Sequence, residues 1–227
     1  MPRVAAQSVS ALPSDGVEPV RGERVIDRIV ASAAELFAEK GFARATMDDL
    51  AERVGIATPT LYVHGRTKAA ILEQIFERLS AHAQQTVDEA AALPTTSERL
   101  YSLMRAWTHS ATTLHASYWK IWFSETNELE PEAAERIRQA TAKIVHGIRG
   151  IVVDGQERGE IDPDLDPTIA TYSMLGTVLW TPKWFQREGP IDLDVVVDMN
   201  FKIVSEGLFR RTKSDRAGKP RLERRKV

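Results

Sequence analysis

Residues 46–68, TMDDLAERVGIATPTLYVHGRTK, constrain the fold more than any other stretch of the chain. They spell two short helices joined by a glycine turn. Thr46 precedes an apolar-periodic segment and Asp49 follows three positions later. This is a capping-box-like start, in which the hydroxyl accepts from an orphan N–H and the carboxylate favours the helix N-terminus. Leu50 and Val54 stand at i and i+4 and share one face, while Ala51 is small enough for close helix approach. Gly55 suits a left-handed helix end. Thr58 and Pro59 restart a helix, because proline is pre-shaped for the first helical position. Leu61 is the inward anchor of that second helix, which leaves Thr58, Thr60 and Tyr62 facing outward. The arrangement is that of a helix-turn-helix, which lays its second helix in the major groove of DNA. Short hydroxyl side chains there reach base edges or phosphates, and threonine methyls meet thymine methyls. A lone glycine between helices is an ordinary helix end, and a lone Tyr or His is ordinary surface. The order of cap, glycine, proline start, Leu-Tyr, His64 and Lys68 sets this stretch apart from a plain helical hairpin.

The rest of the chain predicts an all-α protein. Its 227 residues suffice for one large or two small helical domains, and 43% hydrophobic residues can bury a sizeable core. Cysteine is absent, which excludes disulfides, a thiol nucleophile and cysteine-based zinc sites and fits a cytoplasmic protein. No run of about 18 apolar residues is present, so no membrane span is expected, and the N-terminus lacks a signal-peptide pattern. Residues 1–20 carry Pro, Ser and Gly with little periodicity and read as a disordered lead. The net charge of −2 hides an asymmetry. Residues 210–227 hold nine Lys/Arg against Asp215 and Glu223, whereas residues 1–209 hold 21 Lys/Arg against 30 Asp/Glu. The basic tail reads as disordered, either a phosphate-touching arm or a solubilising end. The acidic remainder confines any DNA contact to a local patch.

Periodicity predicts a first helix over 22–40, with Ile26, Ile29, Val30, Ala33 and Phe37 in one stripe and Gly41 ending it. Arg21 and Arg24 at its start stand within reach of a phosphate, or simply in solvent. A long helix over 67–92 turns Ile71, Ile75, Leu79 and Val87 inward, and further helices are expected over 97–115, 117–127, 131–158, 166–187 and 191–210. Large side chains crowd residues 101–123. Tyr101, Met104, Trp107, His115, Trp119, Trp122 and Phe123, joined by Met174 and Trp180 from a later helix, are the candidate lining of an apolar pocket; the alternative is packed core. The helix after Thr168 is apolar nearly all round, which implies burial on more than one side, and Pro182 is expected to interrupt it. The last helix carries Ile191, Val195, Val196, Met199, Ile203 and Leu208, more apolar surface than a terminal helix needs, which suggests a two-fold dimer interface. Enzyme signals are poor. The five histidines are scattered, His109 and His115 do not share a helical face, and no metal-ligand set or phosphate-cradling glycine loop is present. No cofactor or metal is expected.

Residues 24–72 resemble the DNA-binding domain of tetracycline-repressor-type (TetR family) regulators. The matching words are Ala34-Glu35-Leu36-Phe37 with Gly41-Phe42, then Thr46-Met47-Asp48-Asp49-Leu50-Ala51, Val54-Gly55-Ile56 and Thr60-Leu61-Tyr62, with His64 and Lys68. They cover about a fifth of the chain. The resemblance implies an N-terminal three-helix helix-turn-helix DNA-binding domain (21–68) and a C-terminal helical ligand-binding and dimerisation domain (69–210), with the lead 1–20 and the basic tail 211–227 outside them. It implies a homodimer that reads a palindromic double-stranded operator with Thr58, Pro59, Thr60 and Tyr62, holds phosphates with Thr46, Tyr62, His64 and Lys68, and answers to an apolar or aromatic small-molecule effector. Two positions depart from the family pattern. Ala57 stands where serine is usual, which hands the helix cap to Thr58, and Gly65 stands where an aromatic or aliphatic residue is usual. These departures keep a second reading in view: a helical small-molecule-binding protein that has lost sequence-specific DNA reading.

Overall fold

The computed structural model describes residues 25–63 and 67–208. The expectations for residues 1–24, for His64 and Gly65, and for the tail beyond 208 lie outside the described residues. Nine α-helices and no strand stand among the described residues. Helix α1 (Val25–Lys40) buries Ile29, Val30, Ala33 and Phe37 of the predicted stripe together with Ala34 and Leu36, and leaves Ile26 half-buried. Helices α2 (Met47–Val54) and α3 (Thr58–Val63) pack beside it, and α4 (Lys68–Ala91) leaves them as a single 24-residue rod. The N-terminal half of α4 buries Ile71, Leu72, Ile75 and Phe76, and its C-terminal half buries Leu79, Ala83 and Val87. Since α4 packs against α1 as well as against α5 (Thr96–His109) and α7 (Pro131–Glu157), one continuous apolar core runs through the molecule. That continuity is a physical route by which a change at one end of α4 reaches the other.

Helix α6 (Ala116–Ser124) lies against α1; α8 (Pro167–Trp184) and α9 (Leu193–Leu208) close the bundle over α5. At the α4–α7 crossing, a Cβ on Gly147 would stand 2.8 Å from Val87 Cγ1, so a side chain of any size there pushes the two helices apart.

Two expectations are corrected. The single helix expected over 97–115 ends at His109 and continues as a five-residue π-helix, Ser110–Leu114. Its consecutive threonines turn back on the chain: Thr112 and Thr113 donate to the carbonyls of Thr108 and His109 at 2.6 and 2.8 Å, and the His115 amide bonds Ser110 O at 2.9 Å. Such back-bonding competes with the regular ladder and bends helices. The second correction concerns Pro182. It does not interrupt α8 but sits in its final turn, and the helix runs on to Trp184. Only the bond its missing N–H would have made is forgone there.

Candidate nucleic-acid interface and effector cavity

The helix-turn-helix is built as the residues dictate. Thr46 caps α2 in a full capping box: its hydroxyl accepts from the Asp49 amide at 3.1 Å, and its own amide donates to Asp49 Oδ2 at 2.9 Å. Lys40 donates to Asp49 Oδ1 at 2.6 Å, and with the Thr46 bonds this pulls the carboxyl down to about 2. Gly55 ends α2 at φ 74°, a backbone region that suits glycine and strains other residues. Ile56 follows, and α3 begins at Thr58 with Pro59 in its first turn.

Helix α3 has six residues and one buried anchor, Leu61. Around that anchor the helix presents Pro59, Tyr62 and Val63 to solvent, Tyr62 at 55% and Val63 at 81% exposure; Thr58 and Thr60 are half-buried. A monomer gains nothing by leaving Val63 open, so this face has the character of a contact surface. Thr58 does not cap α3. Its hydroxyl donates to Asp48 Oδ1 at 2.7 Å, which fixes the start of α3 to the first turn of α2.

Lys68 heads α4, and its ammonium is turned inward. It donates to the carbonyls of Phe42 at 2.8 Å and Ala45 at 3.0 Å, and lies 4.4 Å from the centre of the Phe42 ring. In this conformation it clamps the α1–α2 loop to α4. Neither this clamp nor the Asp48–Thr58 tie was readable from spacing, because both join residues of different elements. Arg53 of α2 pairs with Glu39 of α1, and Arg78 of α4 pairs with Asp27 of α1 at 2.7 Å in a largely buried setting. The three-helix unit is therefore bolted to α4 at two places.

An apolar cavity of about 80 Å³ lies between α4, α5, α6, α7 and α8. Trp107, Trp119 and Trp122, expected from the sequence, form part of its wall. The remaining wall comes from Leu79, Ser80 and Ala83 of α4, Thr141, Ile144 and Val145 of α7, and Leu175 and Leu179 of α8. Those aliphatic positions look like plain core in sequence, so aromatic content alone misses them. The other expected lining residues lie elsewhere. Tyr101 donates its hydroxyl to Asp198 of α9 at 2.8 Å and packs edge-on against Phe201, where it holds α9 on α5. Met104 and Met174 are buried core, and Trp180 is 65% exposed on the outer face of α8. His115 is buried, with Ser110 Oγ 3.0 Å from its Nδ1 and the His82 ring 4.9 Å away. Phe123 lines a separate, larger cleft that shares Trp119 with the apolar cavity.

The outer faces of α8 and α9 are apolar. Ile169, Tyr172 and Trp180 on α8, with Val195, Met199 and Ile203 on α9, are all about half or more exposed. No helix among the described residues is long and apolar enough to cross a membrane, and none of them forms a group of three metal-ligating side chains.

Comparison with known proteins agrees with this geometry. Residues 29–75 match the family model described as "Bacterial regulatory proteins, tetR family", and residues 94–208 match "Tetracyclin repressor-like, C-terminal domain". Among curated proteins, the HTH-type transcriptional repressor KstR2 of Rhodococcus jostii is 24% identical over 86% of this chain and 96% of its own. The fatty acid metabolism regulator protein of Bacillus subtilis is 21% identical over 80% of this chain and 94% of its own. Among solved structures, AibR in complex with isovaleryl coenzyme A and operator DNA superposes with a TM-score of 0.72 at 24% identity, covering 79% of this chain and 97% of AibR.

Proposed function

The chain belongs to the TetR family of bacterial regulatory proteins, and from that premise we propose that it is a homodimeric repressor released from a palindromic operator when a small apolar molecule enters its cavity. Residues 21–68 serve as the DNA-binding domain and 69–210 as the ligand-binding and dimerisation domain. The observation that carries the DNA reading is α3 itself, a short helix held by Leu61, Gly55 and the Asp48–Thr58 bond, with Pro59, Tyr62 and Val63 open to solvent. Thr60 and Tyr62 meet base edges and the backbone, and the α2 N-terminus, where the Met47 and Asp48 amides are not used by the capping box, meets a phosphate. The apolar outer faces of α8 and α9 join two copies about a two-fold axis, so that two α3 helices address half-sites about one turn of DNA apart. A bacterial operator places the protein in the cytoplasm.

The apolar cavity supplies the switch. At about 80 Å³ it is smaller than the ~150 Å³ cavity that admits benzene. An effector whose apolar body exceeds this volume separates the cavity walls, and so binds an expanded state better than this one. Such unequal affinity is what a ligand needs to shift an equilibrium. Leu79, Ser80 and Ala83 of α4 form part of the wall, and the same helix clamps the α1–α2 loop through Lys68 and holds α1 through Arg78. Displacing α4 therefore carries the three-helix unit with it. That two-part arrangement is supported by AibR, solved with both isovaleryl coenzyme A and operator DNA.

Selection of bound sequences from random duplex DNA at near-physiological salt tests the reading. Enrichment of an inverted repeat is the expected result; failure to enrich any sequence overturns it in favour of a ligand-binding protein without DNA specificity.

A further inference from the structure

Helix α3 is the element offered to the major groove, yet it holds none of the side chains that read bases by paired hydrogen bonds. Its six residues, Thr58-Pro59-Thr60-Leu61-Tyr62-Val63, include no Arg, Lys, Asn or Gln, the residues that make bidentate contacts with guanine or adenine. The turn before it, Gly55-Ile56-Ala57, adds none. One hydroxyl of α3 is already committed, since Thr58 donates to Asp48 Oδ1 at 2.7 Å. Thr60 is half-buried, which leaves Tyr62 as the exposed polar side chain of the helix.

What α3 offers is largely apolar. Pro59, Tyr62 and Val63 stand at i, i+3 and i+4 and so share one face, on the side away from the buried Leu61. All three are exposed, Val63 at 81%. Single apolar residues on a surface are ordinary. Three neighbours on the outward face of the second helix of a helix-turn-helix are a contact surface whose occupant is DNA. Val63 is not among the contacts that the family resemblance implies, and its exposure is what singles it out.

We propose that Val63, with Pro59 beside it, reads the C5-methyl groups of thymine, so that the half-site under α3 is recognised by methyl contact rather than by paired hydrogen bonds. This assignment rests on the operator-binding reading above. The chemistry selects the base, because thymine alone presents a methyl group in the major groove. An isopropyl group and a pyrrolidine ring pressed against a purine edge desolvate its donors and acceptors without replacing their bonds. Against a thymine methyl the same groups remove apolar surface from water. The face therefore favours thymine and disfavours guanine or adenine at the same position. The Tyr62 phenol and the Thr60 hydroxyl remain for the sugar-phosphate backbone, contacts that position the helix and carry no sequence information.

The test uses the full-length protein and the operator recovered by selection. In synthetic duplexes each thymine of the half-site is replaced in turn by deoxyuridine, in both half-sites at once. This removes the methyl and leaves every hydrogen-bonding group of the base in place. Burying one methyl-sized group is worth about fourfold in affinity, so two symmetric losses give a dimer about fifteenfold. Fluorescence anisotropy is expected to show a loss of about that size at one or two positions and under about twofold at the others. Val63→Ala should lose a similar factor on the thymine operator and be indifferent to uracil at the position that Val63 reads, because both changes cut one contact. Val63 is open in the single chain, so the variant's circular dichroism and melting temperature stay at their wild-type values. Half-sites that tolerate uracil at every position, half-sites selected without thymine, or a Val63→Ala protein with the full wild-type uracil penalty at every position each overturn the assignment while the operator reading stands. A wild-type protein that selects no operator overturns both.

Discussion

Thr58 donates its hydroxyl to Asp48 Oδ1 at 2.7 Å, so the first residue of the helix offered to DNA is tied to the first turn of the helix before it. With Leu61 as the single buried anchor of a six-residue helix, this bond and the Gly55 turn are what fix the angle of α3.

Thr58→Val keeps the shape and removes the donor. A hydrogen bond to a charged acceptor contributes about 1.5–3 kcal/mol, and the low end applies at this solvent-facing site. Operator affinity is expected to fall about tenfold with the dimer intact, as read by fluorescence anisotropy and light scattering. Asp48→Ala should cost a similar amount and the double variant no more than either alone, because both changes cut one bond. Additive losses would mean that Thr58 acts by touching DNA rather than by orienting α3.

Arg78 and Asp27 form the second bolt between α4 and the DNA-binding helices. Asp27 is buried, and the pair spans 2.7 Å. Breaking such a pair leaves a buried charge unmatched, at about 3 kcal/mol. Asp27→Ala is expected to lower the midpoint of chemical denaturation accordingly. It should also weaken the effector's power to release DNA, since α1 no longer follows α4. A variant that is destabilised yet releases DNA with unchanged effector dependence would place the coupling in α6 instead.

Local rules made the N-terminal half legible. The Thr46–Asp49 box, the Gly55 turn, the Pro59 start and the Leu61 anchor each lie within a few residues of one another, and short-range chemistry decides them. Long-range partners were not legible. The family resemblance implies a phosphate contact for Lys68, and its inward turn depends on carbonyls 23 and 26 positions away. In the second half, aromatic identity was a poor guide to the cavity. Trp107 and Trp119 line it while Trp180, on an equally apolar helix, faces outward. Which side of an all-round apolar helix meets the core is set by neighbours hundreds of atoms away, and α8 carries no polar face to mark it.

His82 gives the fold a pH dependence. Burial, reinforced by the nearby His115 and opposed by Glu89, lowers its pKa from 6.5 to about 4. The unfolded chain then takes up a proton that the folded chain refuses, so stability is full above about pH 6.5 and falls as pH drops toward 4. The carboxyls of Asp49 and Glu135, held near 2, lose their contribution only below about pH 4 and stay out of this window. Denaturation midpoints measured between pH 7 and 5 should decline for the wild type and decline less for His82→Gln. Parallel curves would assign the slope to other groups.

In the proposed assembly, the outer faces of α8 and α9 bring a second recognition helix to the operator. Ile169, Tyr172 and Trp180 follow one side of α8, and Val195, Met199 and Ile203 follow one side of α9. Gly176, between Tyr172 and Trp180, adds no bulk, and a Cβ there would meet nothing within 4 Å. A contiguous face of this kind on a lone chain exposes apolar area without any folding gain, whereas a two-fold partner removes it from water at about 25 cal/mol per Å². Tyr172→Asp with Ile203→Glu puts two carboxylates on the apolar face of each copy, which a partner copy could bury only at a desolvation cost. Both positions are open in the single chain, so helical content should stay at its wild-type value. Light scattering should then report a monomer, and operator binding should fall by a hundredfold or more, because the second half-site is no longer bound by a linked recognition helix. A double variant that stays dimeric would move the interface off α8 and α9.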